Sequence, residues 1–202
     1  MTNRYDGAGN LYNKYESKNP VVKLLMGKFF SDLNKIILPV KDEIVSAYDI
    51  GCGEGYITEY FSQMGIPIEG SDISSRIVEI ARKNHPSIIF SLRSIYDLSI
   101  IEKQFDLIIA NEVFEHLSNP DIAIEQLKKI SKKYILITVP NEPLFRMANI
   151  LSLKYLKDAG NTPGHINHWS KKGVELFLTS HKLIIKTTKC STLWTMVLCK
   201  KP

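Results

Sequence analysis

Apolar residues first recur along the chain at helical spacing. Val21, Leu24, Leu25, Phe29, Leu33 and Ile36 fall on one face of a helix running to about Ile37. Asn19-Pro20 marks its start, an N-cap followed by proline at the first helical position. From residue 46 the pattern changes to short apolar runs alternating with further helical stretches. Strands are predicted over 46–50, 66–70, 87–91, 105–110 and 134–139. Helices are predicted over 56–64, ending near Gly65; from the Ser74 cap to about Asn84, before Pro86; and from Asn119-Pro120 to about Ser131. The run from Phe105 to Ala110 is almost continuously apolar, as expected of a strand buried on both faces. This alternation implies a doubly wound α/β fold with a mostly parallel sheet, right-handed crossovers and helices on both faces. Ser170 caps another helix ending near Ser180. Two last strands, 183–189 and 193–200, are joined by a short turn and add a C-terminal antiparallel strand.

Two stretches depart from the alternation. Residues 1–18 are polar and rich in tyrosine (Tyr5, Tyr12, Tyr15), so 1–40 reads as an N-terminal cap segment and helix. Residues 141–169 carry Pro143, Gly160, Pro163 and Gly164 around one predicted helix, 144–156. That is long for a connection in a compact domain, and such connections tend to be functional, so a lid is expected. The whole chain, 1–202, is expected to form a single domain.

Composition adds limits. At 202 residues and 44% hydrophobic, the chain can bury a core without disulfide or metal staples. Cys52, Cys190 and Cys199 form no CxxC pair, which argues against a disulfide framework or a cysteine zinc site and for a reducing, cytoplasmic setting. No apolar run reaches the roughly 18 residues of a membrane span, and the polar start, Met1 to Asp6, lacks the apolar stretch expected of a secretion signal. The net charge of +5 comes from scattered lysine pairs such as Lys128-Lys129 and Lys171-Lys172. With no long basic run interleaved with aromatics, charge alone makes no case for nucleic acid. Monomer and homodimer both remain open.

Candidate chemistry begins at Asp49-Ile50-Gly51-Cys52-Gly53-Glu54-Gly55, between a predicted strand and a helix. Glycines there allow a sharp turn and close approach of a ligand to the backbone. Asp72 follows the next strand, 17 residues beyond Gly55, where a carboxylate can accept both hydroxyls of a ribose. A dinucleotide site wants GxGxxG and a pyrophosphate at a free helix N-terminus. Here the third glycine comes one residue early, and Asp49 would repel a pyrophosphate. A carboxylate suits a cationic ligand.

The segment from Tyr48 to Gly55 resembles the first motif of class I S-adenosylmethionine (SAM) methyltransferases. Ser71-Asp72-Ile73-Ser74 resembles their second motif, and the run from Phe105 to Leu117 their fourth. The resemblance covers residues 40–140 most strongly. It implies a Rossmann-like fold and methyl transfer from SAM, leaving S-adenosylhomocysteine. By that likeness Gly51 and Gly53 pass under the methionine part, with Asp49, Cys52 and Tyr56 beside them. Asp72 holds the ribose and Ile73 packs on the adenine, bordered by Ser94, Ile95 and Tyr96. Asn111, Glu112 and Val113 line the site. Apart from the resemblance, the turn residues and aromatics of the N-terminal segment offer two placements for Tyr12 and Tyr15, folded over SAM or packed on the sheet. The chain departs from the family at Arg93-Ser94-Ile95, where an acidic residue is common.

On the acceptor side, Glu112, Glu115 and His116 stand at i, i+3 and i+4, the spacing of one helical face. Further on come His165, His168 and Trp169. The Glu-x-x-Glu-His pattern with a later His resembles the metal site of ubiquinone-type O-methyltransferases and of small-RNA 3′-terminal 2′-O-methyltransferases. That likeness implies Glu112, Glu115, His116 and His165 as ligands of a divalent cation, which would activate an acceptor hydroxyl. His116, His165 and Glu115 acting without metal is the alternative, with His116 as base; a packing role is a third. Arg146 is a candidate for meeting an acidic substrate. The expected reaction is methyl transfer to a small-molecule acceptor, on oxygen. Methylation of an RNA 3′ end and a non-catalytic SAM-binding regulator are the alternatives.

Overall fold

The computed structural model describes residues 14–151 and 158–202. Helix α1 (Pro20–Ile37) starts as expected: Asn19 Oδ1 accepts the Val21 and Val22 N–H groups. A 3-10 turn (Leu38–Glu43) leads into β1 (Ala47–Ile50), and the chain continues through α2 (Tyr56–Gln63), β2 (Ile68–Asp72), α3 (Ser75–Asn84), β3 (Ile89–Leu92) and β4 (Phe105–Asn111). After α4 (Pro120–Ile130) and β5 (Ser131–Pro140) come α5 (Leu144–Leu151), α6 (Lys171–Ser180), β6 (Ile184–Ser191) and β7 (Trp194–Lys200).

Among the described residues the seven strands form one sheet in the order β3-β2-β1-β4-β5-β7-β6. The first five are mutually parallel, β7 pairs antiparallel to β5, and β6 pairs antiparallel to β7. This is the doubly wound, mostly parallel sheet that the alternation implied. The order reverses at β1, the position at which such sheets bind ligands beyond the strand carboxyl ends. One apolar cluster, including Ile108, Phe114, Ile124 and Leu127, covers one face; another, including Phe29, Leu33, Phe61, Leu107 and Trp194, covers the other. Central strand β4 feeds both through alternate side chains, as a period of two demands. Truncating Leu107 to alanine would cost about 2–5 kcal/mol. None of the described helices is long and apolar enough to cross a membrane.

Several boundaries differ from the sequence expectation. The second strand runs Ile68–Asp72 instead of 66–70, because parallel pairing to β1 and β3 continues through Ser71 and, on the β3 side, Asp72. The fifth strand begins at Ser131, earlier than 134, with Lys132 on its exposed side and Lys133 reaching Asp106 at 3.3 Å. Ser74 and Asn119 occupy N-cap positions without making a side-chain cap. The Ser74 N–H donates to Asp72 instead. Of the predicted 144–156 helix, Leu144–Leu151 is helical, and 152–156 lie outside the described residues.

Candidate active site

The cofactor-side candidates gather at the carboxyl ends of three adjacent strands. Register places Asp49 opposite Gly70 of β2 and Ile109 of β4, so the loop after Ile50 emerges beside Asp72 and Asn111. Gly51 has φ +72, and a Cβ there would lie 2.5 Å from Val113 Cγ2. Gly53 has φ +55, yet a Cβ there would meet nothing within 4 Å, so the loop has open space above it. The Gly53 and Ser74 N–H groups donate to Asp72 Oδ2 and Oδ1 at 3.1 and 2.9 Å, which aims the carboxylate. Burial raises the Asp72 pKa against those bonds.

Asp49 is buried, and Thr58 Oγ1 donates to its Oδ2 at 2.7 Å. Its Oδ1 is buried without a hydrogen-bond partner. Loss of water raises its pKa to about 7, with Asp72 adding to the shift and Thr58 opposing it. Cys52 is buried, its Sγ 3.5 Å from the Gly53 carbonyl, and burial lifts its thiol well above the ordinary range, so it is no nucleophile. Tyr15 stacks on Tyr56 with centroids 4.7 Å apart and hydrogen-bonds Asn111, which brings the segment before α1 over the loop. Tyr12 lies outside the described residues. Ile73 and Ser94 are half-buried beside β2 and β3, the Ser94 hydroxyl accepting the Tyr96 N–H. Ile95 packs into the main core cluster.

On the acceptor side the expected shared face does not form. Glu112 has φ +55, outside helical space, and helical turning is confined to a three-residue 3-10 stretch, Phe114–His116. Glu112 therefore departs from the other two. Its Oε1 accepts from Trp194 Nε1 at 2.5 Å, and its Oε2 contacts Lys14 Nζ. Glu115 points inward and is fully buried, with neither carboxylate oxygen hydrogen-bonded. Burial pushes it up to about 8, with its own backbone N–H and Lys14 pulling the other way.

The distant segment 165–169 does return to this turn. Ile166 and Asn167 donate their N–H groups to the Glu115 carbonyl, and Asn167 Nδ2 donates to the carbonyls of Phe114 and Leu117. One ligand atom each from Glu115, His116 and His165 thereby falls within 4.8 Å of the others, and Glu112 is not in this group. His116 Nδ1 lies 2.9 Å from the Gly164 carbonyl, which can only accept, so this nitrogen carries a proton and Nε2 is the basic one. Desolvation, then the charges of His116, His168 and Lys14, lowers His165 to about 4 and keeps it neutral. His168 Nδ1 stands 3.9 Å from Glu142, and the Trp169 carbonyl accepts the Glu142 N–H. Arg146 Nε donates to the Ala159 carbonyl, a local bond that ties α5 to the end of its own loop.

Sequence reasoning missed Thr58, Lys14, Trp194 and Asn167. Thr58 carried a weak signal, a hydroxyl on the first turn of the helix after the glycine loop. The other three meet the site only through folding. The arrangement fits SAM: an orphaned buried carboxylate oxygen for a cationic ligand, open space over Gly53, and an aimed carboxylate for vicinal hydroxyls.

A family model described as a methyltransferase domain matches residues 30–180. Malonyl-[acyl-carrier protein] O-methyltransferase of Halalkalibacterium halodurans is 31% identical over 124 residues, 56% of this chain and 45% of that protein. Ubiquinone biosynthesis O-methyltransferase of Pelagibacter ubique is 32% identical over 99 residues, 47% of this chain and 40% of that protein. The chain thus spans less than half the length of these relatives. Among solved structures, the plantazolicin methyltransferase BpumL with S-adenosylhomocysteine superposes with a TM-score of 0.72 at 20% identity, covering 94% of this chain and 88% of that one. Magnesium protoporphyrin IX methyltransferase of Synechocystis PCC 6803 gives 0.68 at 16% identity, covering 92% and 89%. The methyltransferase-domain model covers most of the chain, and the chain belongs to that family of class I SAM-dependent enzymes.

Proposed function

We propose that this chain transfers the methyl group of SAM to an oxygen of a small-molecule acceptor, releasing S-adenosylhomocysteine. The observation that carries the reading is the paired aspartates around an open glycine loop: Asp49 with a buried, unpartnered oxygen and Asp72 aimed by two backbone N–H groups. In this reading Asp72 holds the ribose hydroxyls and Ile73 and Ser94 border the adenine. Gly51, Cys52 and Gly53 underlie the methionine part, Asp49 supplies negative charge beneath its cations, and Asn111 and Val113 wall it. SAM brings an activated methyl on a good leaving group, so the protein mainly aligns the acceptor and excludes water. In this reading the Tyr15–Tyr56 stack and the returning segment at His165 do the covering. The relatives' names, one for an acyl-carrier protein and one for ubiquinone biosynthesis, both specify O-methylation, which favours oxygen and disfavours an RNA end. Calorimetry with SAM and an acceptor screen reading out S-adenosylhomocysteine test the proposal. Tight SAM binding by Asp72→Ala would refute the site.

A second reading is favoured by one observation, the 4.8 Å grouping of Glu115, His116 and His165 around a carboxylate with no partner. Such a set suits a divalent cation, which would lower the pKa of an acceptor hydroxyl. Glu112 is not among its ligands, being held by Trp194 and Lys14. Titration with magnesium, manganese and zinc decides: no heat, with turnover indifferent to chelator, leaves His116 Nε2 as the base.

A further inference from the structure

Helix α2 carries a second face that the methyl-transfer reading leaves largely unused. Ile57, Thr58 and Phe61 are buried on its inner side. Tyr56, Glu59, Tyr60 and Gln63 stand at i, i+3, i+4 and i+7 on another face. That face meets Phe30 of α1 and Tyr15, and the six side chains line a groove of about 180 Å³. Two ring pairs build it: Tyr15 with Tyr56, centroids 4.7 Å apart, and Phe30 with Tyr60, also 4.7 Å apart. Tyr15 and Phe30 stand 6.2 Å apart and join the two pairs. Phe30, Glu59, Tyr60 and Gln63 take no part in the cofactor and acceptor arrangements above.

Aromatic rings around one carboxylate are the chemistry of a cation site. Ring faces carry partial negative charge, and Glu59 adds a full one. Its side chain is 40% exposed, and among the described residues its ion-pairing neighbour is His85, with Nδ1 3.2 Å from Glu59 Oε2. Neither ring nitrogen of His85 makes a hydrogen bond, so this contact leaves the carboxylate able to take a ligand. The lining also selects among cations. A primary ammonium has three N–H groups to satisfy, and ring faces offer them no lone pair. Burying such donors against aromatics leaves some without acceptors, which costs free energy. A trimethylammonium group has no N–H and packs its methyls on ring faces without that loss. We propose that this groove binds the trimethylammonium head of a small molecule, its methyls against the four rings and its charge balanced by Glu59. The groove is smaller than pockets that enclose whole ligands, which suits a head group alone.

Choline is the probe, with 3,3-dimethylbutan-1-ol as its uncharged isostere and ethanolamine as its unmethylated counterpart. Each is titrated by calorimetry into the whole chain, alone and saturated with S-adenosylhomocysteine. Choline is expected to bind at least about tenfold more tightly than either control in both conditions. Glu59→Gln should lose about fivefold in choline affinity and leave the uncharged isostere unchanged, and Tyr60→Leu should lose about tenfold. S-adenosylhomocysteine affinity should stay the same in both variants. Phe30→Leu serves if the Tyr60 variant does not fold, and the wild-type preference needs no variant. Equal or absent binding of choline and its controls overturns the proposal. So does a Glu59→Gln variant that keeps choline affinity. Displacement of choline by S-adenosylhomocysteine overturns it too, since the groove would then be part of the cofactor cleft. Capture of a trimethyllysine peptide without choline binding overturns the small-molecule ligand. A chain that binds choline but neither SAM nor S-adenosylhomocysteine would refute the methyl-transfer reading and leave this site standing.

Discussion

The proposed cofactor side of the cleft is centred on one stretch, residues 49–74, with Tyr15, Ser94, Asn111 and Val113 at its edges, and the geometry of that stretch is mostly backbone: strand register, the positive-φ glycines Gly51, Gly53 and Gly55, and N–H groups that aim Asp72. The acceptor side is assembled from four stretches, around residues 14, 112–116, 165–169 and 194, joined by side chains. The first arrangement suits a constant ligand, because main-chain positions at the ends of buried strands barely respond to surface substitution. The second suits a variable one, because loops can change the acceptor without disturbing the sheet.

Substitutions on each side should separate the two. The largest effect is expected at Asp72→Ala, which should weaken SAM binding at least about 100-fold by removing the acceptor of two charge-assisted bonds. Calorimetry measures this, and an unchanged melting temperature would show that the loss is local. Glu115→Gln should leave SAM affinity intact and lower turnover about 30-fold in a steady-state assay. Its stability effect has a defined sign. The folded pKa of Glu115 is raised from 4.5 to about 8, so its contribution is fully present below about pH 4.5 and is lost as pH rises through about 8. Wild type should therefore lose melting temperature between about pH 5 and 8 faster than Glu115→Gln, with the difference levelling off above about 8.

Asp49 gives a pH signature on the cofactor side alone. Its pKa of about 7 in the free protein means that it ionises between pH 6 and 8. SAM binding should tighten about tenfold across that range, and Asp49→Asn should flatten the profile. An equally steep profile in Asp49→Asn would assign the titration to another group. The smallest effect is expected at Trp194→Phe, which removes the N–H donor to Glu112 and should alter acceptor kinetics about threefold with SAM affinity unchanged.

How much of this was legible from residues alone differs by element. The run from Phe105 to Ala110 announced a buried central strand because every position there is apolar except Asp106. The second strand was misplaced by two residues, since its carboxyl end is Ser71-Asp72, polar residues that periodicity reads as loop and that ladder pairing keeps in the sheet. Lys132 and Lys133 hid the start of the fifth strand in the same way. The spacing of Glu112, Glu115 and His116 was read as one helical face, and a single left-handed residue at 112 undid it.

What the sequence determined by itself was local: the order of strands and helices, the glycine loop, Asp49 against the loop and Asp72 one strand later. Each depends on residues within about two turns or one strand of one another, so spacing carries the information. The tertiary structure decided the rest: Glu115 buried without a partner, His165 brought to it by Asn167, and Lys14 meeting Glu112 under Trp194. Those contacts join positions 50 to 180 residues apart, judged from their numbering. Their energies come from burial and charge in a shared cleft, which no local pattern records.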